Sequence, residues 1–476
     1  RNRFDNRGVF WNSLGSLVSK KNILYSLIMT HPFLQIFILT CFIILVIILF
    51  FEQKDFILYS IFLIFLGSFV TSLFIPEASE IDFYIVNIEW ELIVFLLAMF
   101  TIVEVLREKL VFREIAIKIV NKYKDAPRKM FYIICITSTF LAAIVEDLSV
   151  ALIFGPIIII VCRNLNLKAA PYLLGMTISI NLAATLTPFG SAQNILIASE
   201  FNLDVFWFIT RLGVYFAISI FVTLFFLDKL VLKKSLIPKP KILEKTNLEA
   251  ILLKNVEGSS IHKGDFKKNI INLGIFIALL VLIPELYIAG LLGMFLFVIT
   301  NPFKKDERKS KNTSLMHYLQ KIDYKLIYFF ISLFVFVSLM EVNGTLLLIE
   351  GLIENLSSQN TFLVSLIILI VTSLLSGFLD NTPVVVIFIP IIRILFNVPG
   401  FPATPLLVAF IIGINVGGNF LPQGSACDMA TLEIAKNNNV SDLNFRRLVK
   451  IGGIFALIHV LIAIGYLALI TFVFPF

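Results

Sequence analysis

Three carboxylates and a carboxamide interrupt stretches of sequence that are otherwise almost wholly apolar. Glu146 and Asp147 stand inside FLAAIVEDLSVALIFGPIII; Asp380 and Asn381, followed by Thr382, stand inside SGFLDNTPVVVIFIPII. An offset of 234 residues relates the two, Glu146 to Asp380, and the register holds along the flanks. Val150, Ile153, Phe154, Pro156, Ile157 and Ile158 recur as Val384, Ile387, Phe388, Pro390, Ile391 and Ile392. A carboxylate in hydrocarbon costs about 3 kcal/mol on insertion scales and by default marks an ion or proton site. Desolvation favours the neutral acid, so Na⁺ and H⁺ would compete for such groups, with Asp147, Asp380 and Asn381 as the Na⁺ ligands. The plainer alternative is that an Asp or Asn here only caps a helix.

A second polar set repeats at the same offset. INLAATLTPFGSAQN (180–194) and INVGGNFLPQGSACD (414–428) each break an apolar run at Pro and Gly. Asn181, Thr185, Thr187, Ser191 and Asn194 stand in the first; Asn415, Asn419, Ser425 and Asp428 stand in the second. Amides, hydroxyls and opened backbone carbonyls suit Na⁺, and half-helix N-termini attract an anion. Ser, Thr, Asn and Gly also line ordinary membrane-helix contacts, so about half of these positions are expected to be packing. Paired interruptions in two matching halves point to a transporter site at the bilayer midplane.

Such residues need helices to hold them. Hydrophobic residues make up 58% of 476 positions, charged residues 15%, and mean hydropathy is +0.94, far above soluble chains. Apolar segments run over 33–51, 56–75, 88–106, 130–162, 169–199 and 205–227. After a Lys-rich stretch they resume over 269–285, 286–300, 325–342, 361–396, 404–435 and 448–474. Residues 107–129 hold eight Lys or Arg against three acids, and 228–268 holds ten Lys, whereas 76–89 and 341–360 hold acids and no Lys or Arg. The positive-inside rule puts the basic loops in the cytoplasm. Segment 130–162 is flanked by Arg128-Lys129 and by Arg163. It therefore enters and returns as a re-entrant hairpin, with arms of about 15 residues or about 22 Å. Five crossings and one hairpin per half invert the second copy.

The fold class is all-α and polytopic: two inverted repeats of about five transmembrane helices, each with one re-entrant hairpin and one broken helix. The expected organisation is a surface segment (1–32), a first repeat (33–227, hairpin 130–162), a cytoplasmic linker (228–268) and a second repeat (269–476, hairpin 361–396). The basic residues of 1–32 run against this topology. That segment has the wrong hydropathy for a cleavable signal, and it is expected to lie on the surface or to follow a helix not in the sequence. Residues 111–123 (VFREIAIKIVNKY) read as an interfacial arm helix. Cys41, Cys135, Cys162 and Cys427 form no CxxC pattern, which argues against disulfides and thiolate metal sites. Of four histidines only His459 lies inside a span, where a packed side chain is expected. Glu104 and Glu341 lie near segment ends, where they can snorkel. No triad, nucleotide loop or metal-ligand cluster occurs, and the net charge of +7 lies in loops, so it implies no nucleic acid.

At these residues the chain resembles the ion transporter superfamily, which includes arsenite permeases, P-protein-like transporters, sodium/proton antiporters and divalent-anion/sodium symporters. FLDNTPVVVIFIP is similar to the Asp-Asn hairpin of the P-protein-like and antiporter branches. Glu146-Asp147-Leu148 and Asp380-Asn381-Thr382 fall where the symporter branch carries Ser-Asn-Thr. TPFGSAQNILIAS resembles the family's Gly-x-Pro-x-Asn loop, with Ala192 where Pro is usual. The resemblance implies two hairpins clasping a small ion, a homodimer, and elevator-like movement in a lipid bilayer, here a prokaryotic inner membrane. Acids in place of neutral Ser-Asn favour cations and protons over dicarboxylate. The expected function is ion-coupled secondary transport, Na⁺/H⁺ exchange ahead of transport of a small anion (dicarboxylate, citrate or another oxyanion) or arsenite. The coupling ions are Na⁺ and/or H⁺, with no organic cofactor and no enzymatic activity. A membrane-embedded phosphatase would need Arg or Lys at the tips, and neither tip has one.

Overall fold

The structure, a computed structural model, describes residues 32–49, 55–145, 147–236, 263–302, 314–322, 324–345, 360–379, 381–397 and 402–473. Glu146 and Asp380 lie outside the described residues, as do the 1–31 part of the surface segment and the middle of the linker. All regular structure among the described residues is helical, and a helix satisfies its backbone N–H and C=O groups within the segment, as a lipid-exposed span requires. In chain order the helices are α1 Pro32–Leu49, α2 Phe56–Phe74, α3 Ile81–Asn87, α4 Trp90–Glu108, α5 Val111–Tyr123, α6 Pro127–Val145 and α7 Asp147–Asn164. They continue as α8 Ala170–Ala183, α9 Ala192–Phe201, α10 Val205–Leu227, α11 Lys263–Leu282, α12 Leu286–Thr300, α13 Ser314–Leu319 and α14 Tyr324–Val342. The last five are α15 Thr361–Phe378, α16 Asn381–Asn397, α17 Ala403–Gly417, α18 Ala426–Asn437 and α19 Phe445–Ala468.

Six described helices, or seven if the α3–α4 pair bent by 61° is one span, are long and apolar enough to cross a membrane. Their ends are set by short polar side chains. Asp204 accepts from Trp207 N at 2.7 Å, Asn360 from Phe362 N at 2.9 Å and Asn444 from Arg447 N at 2.9 Å, filling N–H groups that a helix start leaves open. The 13-residue α5 coincides with the expected arm helix and buries Val111, Phe112, Ala116, Ile117, Ile119 and Val120 along one side, the spacing of an amphipathic helix.

Two compact units emerge. One takes residues 1–93 and 323–357, and so contains α1, α2, α3 and α14; within it α14 packs on both α1 and α2. The second takes 94–322 and 358–476, and so contains every candidate site residue that the structure describes. The units thus cut across the two sequence halves.

Within the second unit both expected hairpins are helix pairs, α6–α7 and α15–α16. Helices α6 and α7 are 19 and 18 residues long, more than the 15 expected, because Arg128-Lys129 and Arg163 are wound into their ends. Their apolar parts, 130–145 and 147–162, are about 24 Å long at 1.5 Å per residue, and the whole helices, with α15, are among the six long enough to cross. Both broken helices open where expected: α8 gives way to α9 over 184–191, and α17 to α18 over 418–425, where Pro422–Gly424 forms a 3₁₀ turn. These intervals are related by the 234-residue register. Partnering is crossed: α7 of the first hairpin packs on α18, and α16 of the second packs on α9.

The expected linker begins later than its charges suggested. Helix α10 runs on through a π turn, Asp228–Leu232, into Lys233–Ser235, and α11 already begins at Lys263. Asp228 reads as a loop residue in sequence, yet it is only 2% exposed. Arg128 Nε meets both of its oxygens at 2.9 Å and Tyr132 donates to it at 2.9 Å.

Candidate functional site

Each break is met by an asparagine from the opposite half. Asn181, in the last turn of α8, donates to Asn419 Oδ1 at 2.9 Å and Asp428 Oδ1 at 3.1 Å, and accepts from Ser425 Oγ at 2.8 Å. Asn415, in the last turn of α17, donates to Asn194 Oδ1 at 2.8 Å and accepts from Gln193 Nε2 at 3.3 Å and Ser191 Oγ at 3.4 Å. Asn181 and Asn415, Ser191 and Ser425, and Asn194 and Asp428 are repeat counterparts, so the halves exchange equivalent contacts. All six are buried. Ser425 also caps α18, its side chain accepting from Asp428 N at 3.4 Å.

Hairpin tips join this lattice. Thr187 Oγ1 donates to the Ala143 carbonyl in the last turn of α6, tying the first break to the first tip. Asn381 opens α16. With its amide turned to suit its neighbours, its nitrogen donates to Gly424 O at 2.9 Å and Ile414 O at 3.1 Å, and its oxygen accepts from Gln193 Nε2 at 3.1 Å. Gln193 thereby bridges the second tip to Asn415. Close approach here requires glycine: a Cβ on Gly424 or Gly417 would collide with the backbone carbonyl of Ser376 or Ser373.

The expected residues fall into distinct roles. Asn181, Asn194, Asn381, Asn415, Asn419, Ser191, Ser425 and Asp428 form the lattice. Thr185 turns back onto its own helix, donating to Leu182 O at 2.8 Å. Thr382 is buried in the first turn of α16. Asp147 opens α7 and accepts from Leu148 N at 2.7 Å, so capping accounts for one of its oxygens. Helix α7, which it opens, packs on α18, the helix that follows the second break. Asn194 is fully engaged, donating to the Ala184 carbonyl and to Thr187 O at 3.2 Å.

Two buried atoms of the lattice have no partner among the described residues: Asp428 Oδ2 and Asn419 Nδ2. An open acceptor and an open donor therefore belong to the two residues that share the Asn181 amide nitrogen. Thr177 was not legible as a site residue, because its repeat counterpart is Ile411; its hydroxyl nonetheless donates to Asp428 Oδ1 at 2.5 Å. Gln193 and Ser376 were also missed. Gln193 lay within the repeated motif, whereas Ser376, which donates to Ile414 O at 2.6 Å, carried no signal beyond standing five residues before Asn381.

The arginines of these helices are occupied at the far ends from the breaks. Arg128 binds Asp228, Arg163 donates to Asn438 O at 2.7 Å, and Arg393 binds Glu200. Glu104, expected to snorkel, lies 3.6 Å from Arg107 and 4.0 Å from Lys321. His459 is a packed core residue, 0% exposed, whose Nε2 is paired while its Nδ1 has no partner among the described residues. Thr223 gives its own proton to Ser219 O at 2.7 Å and so takes the Nε2–H of His459 at 2.6 Å. Among the described residues no group of three His, Cys, Asp or Glu could hold a metal ion.

A family model described as "Citrate transporter" (CitMHS) matches residues 42–302 and 277–476. The chain belongs to the citrate transporter family. This family falls within the ion transporter superfamily that the hairpin and loop motifs resemble. An uncharacterised transporter of Mycobacterium bovis is 25% identical over 401 residues, covering 81% of this chain and 87% of that protein. A 46 kDa membrane protein of Mycobacterium leprae is 24% identical over 356 residues, covering 74% of this chain and 80% of its own length. An uncharacterised transporter of Methanocaldococcus jannaschii is 23% identical over 413 residues, covering 85% of this chain and 97% of its own length. As a citrate transporter family member the chain is a membrane-embedded secondary transporter of small ions. Both hairpins, both breaks and all residues of the lattice lie inside the family match.

Proposed function

We propose that this protein carries a small oxygen-rich anion of the citrate class across the membrane, coupled to a cation, through the site formed by the hairpin tips and the broken helices. The crossed lattice of Asn181 and Asn415 carries the reading. Two half-helix N-termini, at Ser191-Ala192 and Ser425-Ala426, meet in one buried polar region, and such termini favour anionic groups. Asn419 Nδ2, a buried donor without a partner among the described residues, suits a carboxylate oxygen of the substrate. The acids at and beside the tips oppose a free anion unless a cation enters with it, and coupling supplies that cation. The unit that holds both hairpins and both broken helices is the moving body of an elevator in this reading. Basic loops face the cytoplasm, and two copies form the working assembly.

Na⁺/H⁺ exchange is the second reading. It is favoured by the absence, among the described residues, of a Lys or Arg side chain engaged with the lattice, together with the open oxygen of Asp428.

Purified protein in liposomes with a trapped pH dye tests both. Labelled citrate uptake that requires an imposed H⁺ or Na⁺ gradient, and is lost in Asp380→Asn, supports anion transport. Cation-driven proton movement with no citrate uptake replaces it with exchange. Normal citrate uptake by a well-expressed Asp380→Asn variant would refute the site.

A further inference from the structure

A cavity of about 480 Å³ opens where the start of α6, the α7–α8 connection and the end of the α10 extension meet, and none of the lattice residues lines it. Its walls include Pro127 and Tyr132 of α6, Leu167 between α7 and α8, and Leu236 just past Lys233–Ser235; Arg128 and Lys129 complete it. Three hydrogen bonds hold these walls. Tyr172 donates to Pro127 O at 3.0 Å, while Arg128 Nε and the Tyr132 hydroxyl each reach Asp228 at 2.9 Å. Arg128 spends Nε and Nη2 on that carboxylate, and its Nη1 has no partner among the described residues. Lys129 is exposed and enters no ion pair among the described residues. These two cations stand where α6 passes into its apolar part at Met130. Tyr132 follows Arg128 by four residues, so it lies on the same face of α6 one turn deeper.

We propose that this cavity holds an anionic phospholipid of the leaflet that the basic loops face, its phosphate against Lys129 and Arg128 Nη1 and an acyl chain along Pro127, Tyr132, Leu167 and Leu236. Charge fits this occupant. Asp228 offsets Arg128, so Lys129 leaves the cavity with a single positive charge, the complement of one phosphodiester. Asp125 and Lys168, which adjoin lining residues in sequence, cancel each other. Polarity fits as well, because two cations stand at the membrane end of α6 while the other walls offer methyl, methylene and ring surface. A free oxyanion would use the charges and leave that surface wet, whereas hydrocarbon covers it. Basic pockets beside membrane helices on the cytoplasmic side are general sites for anionic headgroups, and the volume is that of a ligand cleft. An occupant touching all three wall segments would brace the base of the first hairpin against the α10 extension. The proposal takes its leaflet from the placement of the basic loops and is independent of which ion the protein carries.

The test is thermal unfolding of the purified, delipidated protein in detergent, with dioleoylphosphatidylglycerol, dioleoylphosphatidylcholine or glycerol 3-phosphate titrated in. Phosphatidylglycerol should raise the melting temperature in a saturable way, as ligand linkage requires; phosphatidylcholine, with the same chains and no net charge, should raise it less, and glycerol 3-phosphate not at all. Lys129→Gln should need about fivefold more phosphatidylglycerol for the same rise, the worth of one Lys at an anionic surface, and Lys129→Arg should restore the wild-type response. Lys129 is exposed, so its loss is not confused with misfolding. Leu236→Trp, which fills the apolar part, should melt no lower than wild type without lipid and lose the response. Four outcomes overturn the site: no rise with phosphatidylglycerol in wild type, as when residues 237–262 fill the cavity; an equal rise with phosphatidylcholine; an equal rise with glycerol 3-phosphate, which makes the ligand a free phosphate; or a phosphatidylglycerol rise undiminished in both Lys129→Gln and Leu236→Trp, which assigns it to the basic loops at large.

Discussion

Replacing Asn181 with Ala tests the lattice most directly. The side chain makes three hydrogen bonds, to Asn419, Asp428 and Ser425, at 2.9, 3.1 and 2.8 Å. Interhelical hydrogen bonds in membrane proteins average about 0.6 kcal/mol by double-mutant cycles, so three contribute about 2 kcal/mol. The truncation also strands buried acceptors, each costing about 1–3 kcal/mol when no other partner is reached. Ser425 can rotate to water or backbone, whereas Asp428 Oδ1 keeps only Thr177. A net loss of roughly 2–5 kcal/mol follows. Thr185→Ala is the control: Thr185 is equally buried, but its single bond at 2.8 Å returns to its own helix at Leu182. That bond's removal should cost roughly 0.5 kcal/mol or less. Both proteins would be purified and melted by intrinsic fluorescence, followed by a cycle of Asn181→Ala with Ser425→Ala. The double variant should lose less than the sum of the singles. Equal stability of Asn181→Ala and Thr185→Ala, or strict additivity in the cycle, would refute the claim that the halves are joined through this amide.

Other expectations concern packing, charge and transport. Gly417→Ala puts a methyl against the Ser373 carbonyl, and overpacking of this kind should cost about 1–3 kcal/mol in thermal melts, whereas Gly213→Ala, with no atom within 4 Å of the added methyl, should not destabilise. Arg128→Ala leaves the buried carboxylate of Asp228 to Tyr132 alone. It should lower the melting temperature, because the buried carboxylate loses its charge partner, although the exposed guanidinium of Arg128 is screened by solvent. Adding Asp228→Asn should restore most of that loss, and a double variant no better than Arg128→Ala would contradict the pairing. Asp147→Asn should keep the cap on Leu148 through its amide oxygen and insert normally, yet lose cation-coupled uptake in liposomes.

Much of this architecture was legible because the sequence states it twice. The two breaks fall at intervals related by the same 234-residue offset as Asn181 and Asn415, and the arm helix was visible from the spacing of Val111 to Tyr123. What escaped was anything that depends on a single copy or a distant partner. Thr177 has Ile411 as its counterpart, so comparison of the halves hid it. Asp228 was assigned to a solvated linker because charge beside Lys reads as loop, while Arg128, 100 residues earlier, is what permits its burial. The hairpin arms came out longer than expected because their basic ends continue the helix instead of stopping it. Crossed partnering of α7 with α18 and of α16 with α9 is a long-range choice that no local pattern encodes.

That crossing has a consequence for biogenesis. The first hairpin is complete at residue 164 and meets α8 soon after, but the partner of α7 in the other half, α18 (Ala426–Asn437), is synthesised only much later. In the interval its apolar flank must wait in the bilayer or against a helper, and the first half expressed alone should remain incompletely assembled. Two fragments divided within 237–262 should, when made in the same cell, find each other and regain transport that neither has by itself. The duplicated halves have become mutually obligatory, each supplying the template on which the other finishes folding.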